Sequence, residues 1–192
     1  PKPPYANLDT DASYSWLKSP RWQGKPMEVG PLARVLMLYA KGHAQTKELV
    51  GMTLKKLDIP VPALFSTLGR TAARGIETLY CADLQVKQLD KLIANIKAGD
   101  SSTANVEKWE PSTWPKEAKG AGFTEAPRGA LGHWIKIKDT KIDNYQCIVP
   151  TTWNAGPRDG KNQIGPYEAS LMNTAMANPE HPLEILRTIH SF

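Results

Sequence analysis

The stretch Leu68-Gly69-Arg70-Thr71-Ala72-Ala73-Arg74-Gly75-Ile76 opens the longest regular pattern in the chain. Leu68, Ala72, Ile76, Leu79, Ala82, Val86, Leu89, Ile93 and Ile96 recur at spacings of three or four. That period puts them on one face of an α-helix packed against a core. The pattern stops at Ala98-Gly99-Asp100, so the helix would run about 40 Å at roughly 1.5 Å per residue. An element of that length belongs to a bundle rather than a small sandwich. Gly69 and Gly75 would each weaken an isolated helix, and their place inside this one predicts close approach of another helix.

Two shorter helices come before it. Pro31 suits the first helical position, where its missing N–H costs nothing, and the apolar run from Leu32 to Tyr39 stops near Gly42. A second helix is expected from about Thr46 to Leu57, closed by Pro60-Val61-Pro62. Residues 1 to 30 are rich in Pro, Gly and aromatics and read as turns. Residues 103 to 122 are polar and Pro-bearing and read as a loop. His133-Trp134-Ile135-Lys136-Ile137-Lys138 then alternates apolar and polar residues, while Tyr145, Cys147 and Val149 share a face. These two runs predict antiparallel strands joined by a short connection. Short helices open at Pro166 and Pro182. The resulting fold class is mainly α with a small antiparallel β-hairpin region.

Composition narrows the function. With 192 residues, 41% hydrophobic and 22% charged, the chain can bury a sizeable core. Its net charge of +5 is spread out, with Lys55-Lys56 the only adjacent basic pair. A nucleic-acid binder would show a concentrated basic stripe, so the charge reads as a solvated surface. No apolar run is long enough to span a bilayer, and Pro1-Lys2-Pro3-Pro4-Tyr5 lacks the apolar core of a signal peptide. There is no Gly-rich phosphate loop, no His-Glu-x-x-His and no nucleophile elbow. Cys81 and Cys147 match no ligand spacing and read as small buried apolar residues, with nothing to argue for a disulfide. His43, His133, His181 and His190 share no metal-ligand spacing either.

The candidate chemistry lies around the hairpin, in Ala126-Pro127-Arg128-Gly129-Ala130-Leu131-Gly132-His133-Trp134 and Cys147-Ile148-Val149-Pro150-Thr151. Pro127 stiffens the backbone before Arg128, and Gly129 lets another group come close behind it. The company of Ala126, Ala130, Leu131 and Trp134 argues against an ordinary surface arginine. An arginine in a partly apolar setting calls for an anionic partner, because an unpaired buried charge is costly. Its planar fork suits two acceptors at once.

Both segments resemble the large subunit of nickel–iron hydrogenases, most closely the membrane-associated respiratory uptake branch. The likeness covers nearly the whole chain. Glu28-Val29-Gly30-Pro31-Leu32-Ala33-Arg34, Lys18-Ser19-Pro20-Arg21 and Gly69-Arg70-Thr71-Ala72-Ala73-Arg74 resemble family segments as well. In that family the active-site iron carries two cyanides and one carbon monoxide. The resemblance implies that Arg128 and the Thr151 hydroxyl donate to the cyanide nitrogens, with Leu131, Val149 and Pro150 around the carbonyl ligand. It also implies that Arg128 overhangs the open metal face as a catalytic residue. By the same likeness Cys147 offers its backbone carbonyl, a hard oxygen, to a structural magnesium. A strand residue with an ordinarily paired carbonyl is the competing reading of Cys147. Arg70 and Arg74 read as a salt-bridged helix face, and Glu168 as a carboxylate in a first helical turn.

The resemblance carries further expectations. Residues 1–192 would be one piece, the C-terminal half of a large subunit with a helical-bundle core. Within it, 31–98 would supply bundle helices, 123–160 the hairpin and loops lining the active site, and 166–192 the C-terminal helices. The family's nickel thiolates come from an Arg-x-Cys-Gly-x-Cys segment and from an Asp-Pro-Cys-x-x-Cys segment following the equivalent of Phe192; neither lies in these 192 residues. Soft thiolates retain such a metal pair, so the stretch alone should bind neither nickel nor iron. The expected partners are an iron–sulfur small subunit and a membrane cytochrome b, in a higher oligomer of heterodimers on the periplasmic side of the membrane. The alternative is a non-catalytic relative such as the quinone-site subunit of respiratory complex I, against which Arg128 and Thr151 both argue.

Overall fold

The structure, a computed structural model, describes residue 9 and residues 14–192. The Pro1–Tyr5 segment read against a signal peptide lies outside the described residues. Helix α1 spans Pro31–Ala40, α2 spans Ala44–Leu57, and α3 spans Thr67–Lys97 after a short 3-10 turn at Val61–Leu64. Pro31 occupies the first turn of α1 as expected, and Lys41-Gly42 follows its end, with Gly42 left-handed at φ 78°. Ser66 caps α3 by accepting from the Gly69 amide at 3.0 Å.

These helices enclose a small core of Leu32, Val35, Leu49, Val50, Leu64, Ala73 and Ile76. The face of α3 that meets it differs from the one the periodicity indicates. Gly69, Arg70, Ala73 and Ile76 are buried, whereas Leu68 is 80% exposed. Beyond Tyr80 the stripe faces outward, with Val86, Leu89, Ile93 and Ile96 all exposed. The reason is length. The 31 residues of α3 reach about 46 Å, and the 10 residues of α1 about 15 Å, so among the described residues the core is met by the first part of α3. Gly69 admits the backbone of Leu64, where an added Cβ would come within 2.1 Å of its carbonyl oxygen, rather than another helix. Gly75 faces open space.

The expected hairpin is a three-stranded antiparallel sheet in the order β1-β2-β3. Strand β1 is Glu117–Ala126, β2 is Gly129–Lys138 and β3 is Lys141–Ile148. The loop assigned to residues 103–122 therefore ends early: from Glu117 the chain is paired with β2 along its whole length, Glu117 opposite Lys138 and Ala126 opposite Gly129. Asp139 and Thr140, both left-handed at φ 50° and 62°, turn β2 into β3, the geometry that suits a two-residue hairpin loop. Three short helices complete the described chain: α4 (Pro150–Asn154), α5 (Pro166–Leu171) and α6 (Leu183–His190). Helix with a three-stranded sheet is thus the observed architecture. No helix among the described residues is long and apolar enough to cross a membrane.

Candidate functional site

Pro127 and Arg128 form the two-residue connection between β1 and β2. Behind the turn, Gly129 sits at φ +131° and Gly30 at φ +128°. A Cβ on Gly129 would lie 2.6 Å from the Gly30 nitrogen and 2.6 Å from Val29 Cγ2. One on Gly30 would lie 3.0 Å from the Arg128 carbonyl oxygen. Only two residues without side chains let these backbones meet. Asn154, fully buried at the end of α4, holds the Val29 side of the contact. Its Oδ1 accepts from the Val29 amide at 2.9 Å, and its Nδ2 donates to the Val29 carbonyl at 2.9 Å.

The other flank of the turn is held from α1. Arg34 Nε donates to Glu77 Oε1, and Nη2 donates to Glu77 Oε2 at 2.7 Å. Nη1 donates to Glu125 Oε2 and to the Ala126 carbonyl, each at 2.9 Å. Nη2 also donates to the Pro127 carbonyl at 2.9 Å. All five N–H groups of the guanidinium are therefore used. The bonds to Glu77, followed by that to Glu125, hold its pKa above the ordinary arginine value against the cost of burial.

Contrary to the partly buried, anion-paired setting its apolar neighbours suggested, the Arg128 side chain is exposed at the turn and makes no hydrogen bond or ion pair among the described residues. Its charge reaches Tyr167 on α5: burial raises the Tyr167 phenol, and Arg128 opposes that rise. The Tyr167 ring packs edge-on against Phe192 with centroids 4.7 Å apart. The Arg70 guanidinium lies 3.8 Å from the centre of the same Phe192 ring and makes a two-pronged pair with Glu28, both contacts 2.8 Å. Glu28 adjoins Val29, whose Cγ2 lies behind the turn at Gly129. Arg70 is thus salt-bridged as expected, but buried. Arg74 instead donates to the carbonyls of Ser191 and Phe192, each at 3.0 Å.

Strand pairing ends at Gly132 opposite Ile148, so Val149-Pro150-Thr151 leaves the sheet at the end where the Arg128 turn enters. Pro150 is buried at the start of α4, while Val149 and Thr151 are exposed. The Thr151 hydroxyl has no hydrogen-bond partner among the described residues. Half-buried Leu131 lines an open apolar groove of about 670 Å³ with Trp22, Met27, Val29, Trp134 and Trp153. A second groove of about 630 Å³ lies between Arg34, Arg74, Glu77, Cys81 and Pro127. Neither Arg128 nor Thr151 lines either groove.

As metal ligands the described side chains do not fit. No group of three or more His, Cys, Asp or Glu residues is placed to hold an ion among them. Both cysteines are free, and the burial expected of them is wrong for Cys81, which is exposed on the outer half of α3; Cys147 is half-buried on β3, paired with His133.

Some contributors went unread in the sequence. Asn154 follows Trp153 with no motif to mark its amide, and Arg34 carried no sign of its five acceptors. Glu168 stands in the first turn of α5 as expected, but it also accepts from the Tyr14 hydroxyl at 2.5 Å. That link joins the N-terminal segment to α5 across 154 positions.

Comparison with known proteins places this arrangement. The fold aligns with a single-residue variant of the [NiFeSe] hydrogenase of Desulfovibrio vulgaris Hildenborough at a TM-score of 0.73 and 33% identity, over 93% of this chain and 36% of that one. The reduced, active [NiFeSe] hydrogenase of Desulfomicrobium baculatum aligns at 0.69 and 38%, over 93% and 36%. The chain belongs to the nickel-dependent hydrogenase family, whose match runs over residues 1–192. It is 65% identical to the uptake hydrogenase large subunit of Rhodobacter capsulatus, over 97% of this chain and 31% of that protein. Against the hydrogenase-1 large chain of Escherichia coli the identity is 59%, over 96% and 31%. The chain thus spans about a third of the length of these curated relatives. The complex I alternative draws no support from these matches.

Proposed function

We propose that this chain is part of the catalytic large subunit of a nickel–iron hydrogenase that interconverts H2 with protons and electrons. Its contribution is to surround a Ni-Fe(CN)2(CO) centre whose thiolates lie elsewhere in the subunit. The metal pair, when bound, supplies the splitting of hydrogen. Arg128 and Thr151 supply donors to the cyanide nitrogens, which are strong acceptors in a dry site. Leu131, Val149 and Pro150 form an apolar wall for the carbonyl ligand, and Arg128 also faces the reacting side. The observation that carries this reading is the pairing of 65% identity to an uptake hydrogenase large subunit with an Arg128 fork that has no acceptor among the described residues.

The finer assignments follow from the same reading. Residues 31–98 contribute bundle helices, the outer stripe of α3 being covered by the remainder of the subunit. Residues 123–160 line the site, and 166–192 form the C-terminal helices. The Cys147 carbonyl is a ligand for a structural magnesium. An iron–sulfur small subunit takes the electrons and passes them to a membrane cytochrome b, in a higher oligomer on the periplasmic face of the membrane. The test is Arg128→Lys in the full-length enzyme. Losing the planar fork removes about 1.5–3 kcal/mol of charge-assisted bonding, roughly ten- to a hundredfold in hydrogen oxidation, at near-normal nickel content. Unchanged turnover would remove Arg128 from the site.

A further inference from the structure

We infer that Arg34 is a positioning residue for Arg128, an inference that rests on the reading of Arg128 given above. Arg34 makes no hydrogen bond to the Arg128 side chain. It donates to the carbonyls of Ala126 and Pro127, the two peptides that lead into Arg128. The Pro127 carbonyl shares its peptide plane with the Arg128 nitrogen. Holding that oxygen sets the orientation of the plane and so the direction in which Arg128 leaves the backbone. Pro127 fixes its own φ, and the close Gly30–Gly129 approach leaves no room for a side chain there. The turn is thus held by two carbonyl bonds and by a close glycine contact.

The clamp is itself braced. Glu77 on α3 takes the Nε–Nη2 edge of the guanidinium, and Glu125 on β1 takes Nη1. The carbonyl bonds are left to the remaining N–H groups, so every donor has one acceptor. Three elements, α1, α3 and β1, therefore meet at one cation beside the turn. A lysine has three donors on a flexible stem and no fork. It could keep a carboxylate partner, but not two carboxylates and two consecutive carbonyls in one plane.

The experiment is a double-mutant cycle in the full-length holoenzyme with Arg34→Lys and Arg128→Lys, reading hydrogen turnover, nickel content and the infrared bands of the diatomic ligands. Arg34→Lys is expected to lower turnover by about tenfold or more and to move the cyanide bands, at near-normal nickel content. In the Arg128→Lys background the same change is expected to cost less than about twofold more, because the group it positions is already gone. Losses that multiply would overturn the inference, as would full turnover in Arg34→Lys. Impaired Arg128→Lys beside unimpaired Arg34→Lys removes the present inference alone. Unimpaired Arg128→Lys removes the reading beneath it as well. Should Arg34→Lys fail to assemble, Glu125→Gln at the exposed end of the network gives the milder perturbation. It must show a smaller loss that vanishes in the Arg128→Lys background, and an equal loss in both backgrounds counts against positioning.

Discussion

Asn154 treats Val29 as a strand neighbour would: one amide side chain accepts from its N–H and donates to its C=O, both at 2.9 Å. The two residues are 125 positions apart. Their contact ties α4, just after Thr151, to the segment that lies behind the Arg128 turn. Removing the amide by Asn154→Ala leaves both Val29 groups without partners in a half-buried place. The expected cost is about 1–3 kcal/mol, read as a lower Tm of the full-length subunit. Asn154→Asp should be worse at neutral pH, since a carboxylate oxygen would then oppose the Val29 carbonyl. A Tm unchanged in both variants would show that the pair does not anchor α4.

The glycine contact makes a sharper contrast. Gly129→Ala adds a Cβ at φ +131° and 2.6 Å from the Gly30 nitrogen, so the turn must shift as well as strain. A destabilisation of about 1–3 kcal/mol, with weaker hydrogen oxidation, is the expected result. Gly160→Ala meets nothing within 4 Å and should leave Tm and turnover alone. Equal behaviour of the two variants would contradict the close approach.

Thr151→Val is the probe of the second donor. Valine keeps the shape of threonine without its hydroxyl, and the exposed position imposes no repacking. The cyanide stretching bands of the full-length enzyme should shift in the infrared while nickel content holds. Bands that stay in place would take Thr151 out of the site.

Asp159 gives a pH dependence with a definite sign. Its carboxylate accepts from the Gln163 and Lys161 amides, each at 2.9 Å, and from Arg21. The backbone bond from Gln163, then that from Lys161, holds its pKa below the usual value. A depressed folded-state pKa contributes stability above the unfolded value, near 4, and loses it as pH falls through the folded value. The Tm gap between the native protein and Asp159→Asn should be present at neutral pH and close in acid. A gap that widened on acidification would reverse the assignment.

Helix starts and stops were legible because their causes are local. Pro31, Pro60-Val61-Pro62 and Pro166 act through their own φ and missing N–H, and each marks a boundary near where it was expected. Strand β1 was illegible for the opposite reason. Ala118, Lys119, Gly120, Ala121 and Gly122 carry neither alternation nor β-branched side chains. They become a strand through the ladder to β2, and that ladder is a property of two segments rather than one. The hairpin motifs around Arg128 and Thr151 were readable as wording, while the atoms behind them were not. Arg34 finds Glu77, Glu125 and two carbonyls only after the chain folds.

Order along the backbone was therefore settled by short-range stereochemistry: where the chain coils, where it breaks, which turn carries Arg128. Three-dimensional packing alone chose which side of the 31-residue helix is covered, which two glycines touch, and which cation grips the turn. The division follows from range. Dihedral preferences act over a few residues, whereas a hydrogen bond spanning 125 positions depends on every element between its ends being in place.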